Sequence, residues 1–403
     1  MEVCKFYPVA NERMGALWTL ASIKDACIIE FGPAGTTHYA LEGIGSLNAN
    51  EVARIYSTHL DQDDVTFGKY DRLEKAILEL DENLAPRYLF VMASSISAII
   101  GADIESVCTE LASQVRAKLI PITTSGLKHH YPVGVAEVLE LLVEQVVKPG
   151  TTNLNQYNIL GMTIDRYNFL ADVKELQRMM KGLFGKDVNT VFTCETTIAA
   201  IEGATAASLN IVVRQEALEA AKYLEKVHGI PFVYANLYGV KNIQAFVETV
   251  SQIAGYELNE EFLKQELATI AGPQMSVRRT FFLSKTNLAC AIFGDYDTVC
   301  GLRDCLLELG LEVDRAEVLY KMAVAKPLIA GQTEADRMKY LKERDLLFLL
   351  GDGACEKMEN RAKGYLQVSN PNFDRRLIYP DTPFIGFKGV LWLIQQILNI
   401  TLD

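Results

Sequence analysis

The hydrophobic pattern of the chain consists of short apolar runs separated by longer amphipathic segments. Before residue 240 the runs are YLFVMAS from Tyr88, KLIPITT from Lys118, NILGMT from Asn158, TVFTC from Thr190, LNIVVR from Leu209 and PFVYANL from Pro231. A strand covered by helices on both faces loses its polar alternation and becomes a continuous apolar run. The pattern therefore predicts an α/β, doubly wound architecture with mainly parallel sheets.

A second series of runs follows residue 276 and predicts a further unit of the same kind. It contains NLACAIFGD from Asn287, LLFLLGD from Leu346 and YLQVSN from Tyr365. Turn-forming residues cluster at 148–156 and again at 269–279, where we place the boundaries. We expect three Rossmann-like α/β domains, over residues 1–150, 151–275 and 276–403.

Composition narrows the class of protein. The 403 residues are 49% hydrophobic and 22% charged, which is typical of a folded globular chain. A net charge of -12 argues against nucleic-acid binding, which requires clustered positive charge. Since no apolar run is long enough for a membrane span and no signal peptide is recognisable, we expect a cytoplasmic protein without membrane contact. The eight cysteines include no C-x-x-C pair and are expected to be reduced thiols.

A glycine-rich turn follows the apolar run CIIEF at residues 27–31. The sequence FGPAGT at this turn has neither the G-x-G-x-x-G spacing of dinucleotide sites nor the terminal Gly-Lys-Ser/Thr of a P-loop. Nucleotide binding by the turn is therefore disfavoured. Thr36 and Thr37, which follow it, are expected to cap the next helix through their hydroxyl groups.

The order of several short motifs resembles the nitrogenase component 1 superfamily. The motifs are Cys4, the turn at 31–36, the acidic segment at 61–68 and the segment ASSISAIIGAD at 93–103. Further matches extend through CAIFGDYDTVCGL to NPNFDRRLIYPDTPFIGFKG, so that the resemblance covers nearly the whole chain. This superfamily includes nitrogenase subunits, cofactor-assembly scaffolds and dark-operative protochlorophyllide reductases.

The resemblance implies an iron-sulfur cluster, of the 4Fe-4S type, shared at a subunit interface. Cys4 corresponds to the first cluster ligand of the family, and Gly32, Pro33 and Gly35 would shape the cluster turn. Thr36 and Ser95 stand at the positions of the second and third family cysteines. Because iron in such clusters is normally held by thiolates, one subunit with this set cannot ligate a four-iron cluster by itself.

Two arrangements would complete such a cluster. A partner subunit would bring the missing thiolates, or Cys27 would join Cys4 as a metal ligand and a homodimer would contribute two cysteines from each chain. We prefer the first, because Cys27 lies inside an apolar strand pattern and buried cysteines are usually inert.

The resemblance also indicates catalytic residues. His38 follows the cluster turn and is a candidate proton donor, while Asp374 and Arg375 are expected near a substrate cavity. Pro371 stands where nitrogenase proper has a histidine near its cofactor, so reduction of dinitrogen is disfavoured. A different metallocofactor or a tetrapyrrole substrate is then left open.

The leading interpretation is a subunit of a nitrogenase-like two-component reductase. It would accept electrons from an ATP-dependent iron-sulfur reductase and would work with a homologous subunit, as a homodimer or a heterotetramer. The alternatives are a noncatalytic scaffold that carries a metallocofactor during assembly, and a partner subunit that only completes a neighbour's site.

Overall fold

The computed structural model describes residues 4–6, 8–47, 49, 52–284, 289–320, 328–373 and 382–401. Strands occur at β1 Cys27–Phe31, β2 Arg54–Ser57, β3 Tyr88–Ala93, β4 Lys118–Ile122, β5 Gln156–Met162, β6 Asp187–Thr193, β7 Asn210–Val212, β8 Phe232–Tyr234, β9 Ala289–Gly294, β10 Val313–Val318, β11 Ile329–Ala330, β12 Asp345–Gly351 and β13 Arg361–Gln367.

The helices alternate with these strands. They are α1 Glu12–Ala21, α2 Ala34–Gly45, α3 Gln62–Phe67, α4 Asp71–Leu84, α5 Ser95–Ile99, α6 Ile104–Leu111, α7 Tyr131–Gln145, α8 Phe169–Phe184, α9 Ile198–Glu202, α10 Leu218–His228, α11 Val240–Ala254, α12 Glu260–Ser284, α13 Tyr296–Glu308, α14 Glu334–Glu343, α15 Gly353–Lys357 and α16 Gly386–Thr401.

Three separate sheets organise the described residues. Their strand orders are β2-β1-β3-β4, β6-β5-β7-β8 and β11-β10-β9-β12-β13, and every pairing between strands is parallel. In each sheet the strand order reverses beside the first strand, which is the topology of doubly wound Rossmann-like folds. The predicted fold class is confirmed.

The apolar runs found in the sequence form the central strands and several of the edge strands, among them β4 and β8. Every residue of β1 and of β3 is buried, as expected for strands that helices cover on both faces. Three of the described strands had not been singled out, β2, β10 and β11. The sequence RIYS of β2 lies at a sheet edge and is largely half-buried, so it has no continuous apolar run.

The turn-residue cluster at 269–279 does not form a turn, contrary to expectation. It lies inside the 25-residue helix α12, which contains Pro273. Proline removes one helical hydrogen bond, but packing of α12 against α8 and α16 offsets this cost. The proposed domain boundary at residue 275 therefore falls within a helix, and the boundaries remain predictions.

Helices α1 and α7 cross with their backbones almost in contact. A Cβ atom on Gly15 would lie 2.0 Å from the carbonyl oxygen of Tyr131, and one on Gly134 would lie 1.8 Å from that of Glu12. No side chain fits at these distances, so glycine is required on both helices. The crossing therefore holds helices α1 and α7 together as a closely packed pair.

Candidate functional site

The turn after β1 depends on a close approach of its backbone to the segment after β3. A Cβ atom on Gly32 would lie 2.5 Å from the Cβ atom of Ser94, and the Gly32 amide donates to Thr58 Oγ1 at 3.2 Å. Pro33 then forms the N-cap of α2 with φ at -65° and without a side-chain capping bond. Only a residue without a side chain fits at position 32, which explains the first glycine of the turn.

Thr36 and Thr37 do not cap α2, contrary to expectation, because they lie within its first turn. Thr36 Oγ1 donates to the carbonyl oxygen of Pro33 at 2.8 Å, and Thr37 Oγ1 donates to Glu30 Oε2 at 2.7 Å. Glu30 lies in β1, is almost completely buried, and pairs with Arg13 of α1 at 2.6 Å. Beneath the turn there is thus a buried ion pair to which Thr37 is directly bonded.

Ser95 and Gly35 have different surroundings. Ser95 Oγ donates to the carbonyl oxygen of Ser125 at 2.8 Å, so its hydroxyl group is already engaged by the loop after β4. No atom lies within 4 Å of a Cβ atom built on Gly35, so packing does not require glycine there. The loops after β1, β3 and β4 are thereby joined at the carboxyl edge of the first sheet.

Cys27 and Cys4 lie in contrasting environments. Cys27 begins β1 and is fully buried among apolar residues of the first sheet, and this burial raises the pKa of its thiol. Cys4 is exposed, and its Sγ donates to Glu334 Oε2 of α14 at 3.4 Å. All eight cysteines lie in the described part of the chain, and Cys4 is the one that is classed as exposed.

His38 lies on the solvent side of α2. Its Nε2 is 3.1 Å from Glu42 Oε1, one helical turn away, and its side chain is 73% exposed. Its role as a proton donor stays a prediction. Asp374 and Arg375, the other two candidate catalytic residues, lie outside the described residues.

The candidate ligand residues Thr36, Ser95 and Cys27 do not fit a four-iron cluster that is held by this chain alone. The hydroxyl groups of Thr36 and Ser95 donate to main-chain oxygens, and the Cys27 thiol is buried. Within the described ranges, no group of three or more His, Cys, Asp or Glu side chains is arranged to hold a metal ion. No described helix is long and apolar enough to cross a membrane.

A cavity of about 50 Å³ lies where residues of all three sheet units meet. Its walls include Trp18 and Leu47 from the first unit, Asp165 from the loop after β5, and Tyr320 and Asp352 from loops after strands of the third sheet. Loops at the carboxyl ends of parallel strands are where α/β folds bind ligands. Cys4 also lines the cavity, whereas none of the described residues 32–36 does.

Most charged groups of the cavity wall already have partners. Asp165 pairs with Arg214 at 2.7 Å, and Asp352 accepts from the Cys355 amide at 2.7 Å. Glu334 Oε1 accepts from the Lys5 amide at 2.7 Å. The N-terminal segment is therefore held against α14 at the cavity.

The sequence interpretation missed the residues of α14 and most of the cavity wall. Gly351-Asp352 was the available signal, because a polar residue at the end of an apolar strand marks the ligand-binding edge. Glu334 and Arg337 had no such signal, since a charged pair three residues apart on a helix is ordinary surface composition. Pro371, noted from the resemblance, does line the cavity.

Comparison with known proteins identifies the family. The profile described as "Nitrogenase component 1 type Oxidoreductase" matches residues 12–402. The "Nitrogenase iron-molybdenum cofactor biosynthesis protein NifE" of Nostoc sp. is 27% identical over 401 residues, which cover 95% of this chain and 81% of that protein. The protein of the same name from Clostridium pasteurianum is 29% identical over 255 residues, 62% of this chain, and the match spans about half of that relative, 54%.

The fold is also that of a solved structure. The structure "Nitrogenase Cp1 at pH 6.5" superposes with a TM-score of 0.84 at 16% identity, over 100% of this chain and 94% of that one. At this identity the likeness shows the shared fold of Rossmann-like domains, while the family profile extends over nearly all residues. The chain therefore belongs to the nitrogenase component 1 type oxidoreductase family.

Proposed function

We propose that this chain is a subunit of a nitrogenase-like two-component reductase and works with a homologous subunit that supplies most of the cluster ligands. The observation that carries the proposal is that the candidate ligand residues of this chain do not suffice for a four-iron cluster. Members of this family bind metal clusters, yet the Thr36 and Ser95 hydroxyl groups are hydrogen-bonded to main-chain oxygens. Cys4, whose thiol donates to Glu334 Oε2, is the exposed cysteine of the described residues and the candidate thiolate ligand of a shared site.

The buried position of Cys27 argues against the homodimeric arrangement. To bind iron, Cys27 would have to leave the interior of β1, where it pairs in register with Leu89 of β3 and Arg54 of β2. Breaking this central strand would disrupt the first sheet. An asymmetric pair of subunits therefore fits the geometry better than two copies of this chain.

Electrons would come from an ATP-dependent iron-sulfur reductase that docks on the assembly. The chain contains no phosphate-binding loop of its own, which agrees with ATP hydrolysis by the docking protein. A substrate would occupy the cavity where residues of the three sheet units meet, which we call the central cavity. Residues of all three sheet units line this cavity, as a substrate held among the units would require.

The first test is the iron content of this chain with and without its partner. We would purify it anaerobically, alone and together with a coexpressed homologous subunit, and measure iron, sulfide and electron paramagnetic resonance. We expect little iron in the chain alone, and about four irons in the complex. Cys4→Ser should lower the iron content of the complex, whereas the control Cys300→Ser, which removes a half-buried thiol of α13, should not. Four irons in the chain alone would contradict the proposal.

The second candidate function is a scaffold for metallocofactor assembly. The names of the Nostoc and Clostridium relatives, both of which are cofactor biosynthesis proteins, favour it. Incubating the complex with ATP, reductant and the iron-sulfur reductase separates the two. Turnover of a small molecule supports the reductase, while transfer of an iron-sulfur cargo to an acceptor protein without turnover supports the scaffold.

A further inference from the structure

Strand β4 forms an edge of the first sheet, and β3 is its one strand partner in the described part of the chain. The Lys118 amide donates to the carbonyl oxygen of Arg87 at 3.0 Å, so the main-chain groups of Lys118 face β3. Main-chain groups of successive strand residues point to opposite sides. The amide of Leu119 and the carbonyl oxygens of Leu119 and Pro121 therefore face outward. Such an open edge is a template for a further strand.

A groove runs along this open edge, between β4 and the helix α7, and we call it the β4 groove. It consists of two adjoining cavities of about 340 Å³ and about 390 Å³, and Pro121, Glu137 and Leu141 line both. The buried residues Ile122 and Val138 add apolar surface to the larger cavity. Clefts of this size with partly apolar walls are typical sites of ligand binding.

The α7 side of the β4 groove is acidic. Glu137, Glu140 and Glu144 line the smaller cavity and are all exposed. Their spacings of three and four residues place them on one face of the helix. Partial burial and the negative charges of neighbouring glutamates, Glu144 first among them, raise the pKa of Glu140. Like charges at this spacing repel one another, so a positively charged partner would relieve the repulsion.

Nearby lysines of this chain do not neutralise the acidic side. Neither Glu140 nor Glu144 forms an ion pair with a described residue. Lys118 Nζ, at the start of β4, donates to a carbonyl oxygen at the end of α7 at 2.7 Å. Lys148, which lies near Lys118, pairs with Glu202 at 2.6 Å. The two glutamates are therefore open to a cation from another molecule.

The opposite end of the β4 groove has a different character. Lys128 and His129 line the larger cavity, and their amides donate to the Glu12 carboxylate at 3.0 Å and 2.9 Å. The lysine brings positive charge to this end. The basic side chains of a partner therefore belong in the smaller cavity, along α7.

A second copy of this chain is a poor occupant of the β4 groove. A symmetric pairing of two β4 edges would bring two identical rows of glutamates toward one interface. The chain also carries a net charge of -12, so two copies repel each other. A different protein with basic side chains matches the acidic groove.

We propose that the β4 groove binds an extended segment of a partner protein that carries lysine or arginine side chains. The segment adds a strand to β4 through the outward main-chain groups of Leu119 and Pro121. Its basic side chains lie against Glu140 and Glu144. Because proline has no amide, this edge offers fewer hydrogen bonds than a regular edge, and charge decides which segments bind. The inference requires neither a metal cluster nor a reductase and is independent of the proposed function.

Fluorescence anisotropy of labelled peptides titrated with the full chain tests this inference. The probe is a peptide in which lysine alternates with valine or threonine, so that all lysines lie on one face of the added strand. We expect it to bind at least about tenfold more tightly than the same peptide with glutamate in place of lysine. Two further versions are N-methylated on alternate residues. The version that loses the amides facing β4 should bind about fivefold less tightly than the unmodified peptide.

Variants of the acidic side test where the peptide binds. Glu140→Gln combined with Glu144→Gln should weaken binding of the lysine peptide at least about threefold, because two ion pairs are lost. Glu79→Gln combined with Glu82→Gln is the matched control, since it removes the same charge from exposed positions on α4. This control should leave binding unchanged. Equal losses in the two double variants would reduce the result to general attraction by a negatively charged protein and would contradict the proposal.

Other outcomes would also overturn the inference. Absence of binding by wild type is one. If spermine or both N-methylated versions bind as tightly as the lysine peptide, the groove is a simple cation site to which no strand is added. Sedimentation of the chain alone tests the remaining occupant, because a dimer that the lysine peptide dissociates would assign the groove to a second copy of this chain. Circular dichroism checks that both double variants fold.

Discussion

The individual residue with the largest structural role in the β1 turn is Glu30. Its two carboxylate oxygens accept from Arg13 of α1 and from Thr37 of α2, and the pair is shielded from water. Arg13 also donates to the carbonyl oxygen of Thr36 at 3.2 Å. The turn is therefore held by side chains of this chain, whether or not a metal cluster is nearby.

Replacing Glu30 with glutamine should destabilise the fold. The change leaves the Arg13 guanidinium buried without a counter-charge, and breaking a buried ion pair typically costs about 3–5 kcal/mol. Urea unfolding followed by circular dichroism measures the loss. The control is Asp345→Asn, because the 3.9 Å pair of Asp345 with Arg361 is exposed and should contribute less than about 1 kcal/mol. Equal losses in both variants would contradict this account.

At the level of individual residues, the sequence predicted part of the candidate site. The motif containing Gly32 and Pro33 was visible because a tight turn after a buried strand requires special backbone residues. The partners of Cys4 and Asn370 were not predictable, because they are brought together by tertiary contacts across more than 200 positions. Glu334, Arg337 and Asn370 belong to this second group.

Among the elements, the crossing of α1 and α7 is the most constrained. Gly134→Ala would place a methyl group 1.8 Å from the carbonyl oxygen of Glu12, so the helices would have to separate. We expect a loss of about 2 kcal/mol in unfolding free energy. Gly45→Ala is the matched control, because nothing lies within 4 Å of its Cβ position and alanine favours the helix by up to about 1 kcal/mol. A neutral Gly134→Ala variant would contradict the close crossing.

Strands were predicted from the sequence where they contain an apolar run, including the edge strands β4 and β13, whose burial is mixed. Strands such as β3 and β12 are covered on both faces and read as unbroken apolar runs. Strand β2 and the helix through Pro273 were missed for opposite reasons. Strand β2 lacks an apolar run and is held in its conformation by pairing with β1. Helix α12 continues through Pro273 because tertiary packing overrides the local preference of its turn residues.

At the scale of the whole molecule, the C-terminal helix is tied to the second unit by Asp172. This carboxylate, on α8, accepts from the amide of Phe384 at 2.8 Å, just before α16 begins. Burial raises the pKa of Asp172 to about 6, although the nearby Arg166 opposes this effect. The junction between the units therefore prefers a protonated carboxyl group.

Stability should fall as pH rises through the titration of Asp172. The folded chain binds this proton more tightly than the unfolded chain, whose pKa is near 3.9. The contribution to stability is therefore complete below about pH 4 and is lost as pH rises through about 6. Relative to Asp172→Asn, wild type should lose roughly 3 kcal/mol between pH 4 and 7. Urea unfolding at several pH values measures this.

The exposed carboxylate of Asp187, which pairs with Lys181, provides the comparison for that experiment. Asp187→Asn should keep the wild-type slope of stability against pH, whereas Asp172→Asn should flatten it. If both variants have the slope of wild type, Asp172 is not the group that titrates.

The glycine crossing of α1 and α7 also restricts how the molecule can move. Sliding of packed helices requires side chains that change rotamer as the helices shift, but at Gly15 and Gly134 the backbones themselves are in near contact. No layer of flexible side chains separates the two backbones here, so the helices cannot slide past each other. Any opening of the central cavity should therefore occur by rotation at the loops between units, with α1 and α7 carried along as one rigid body.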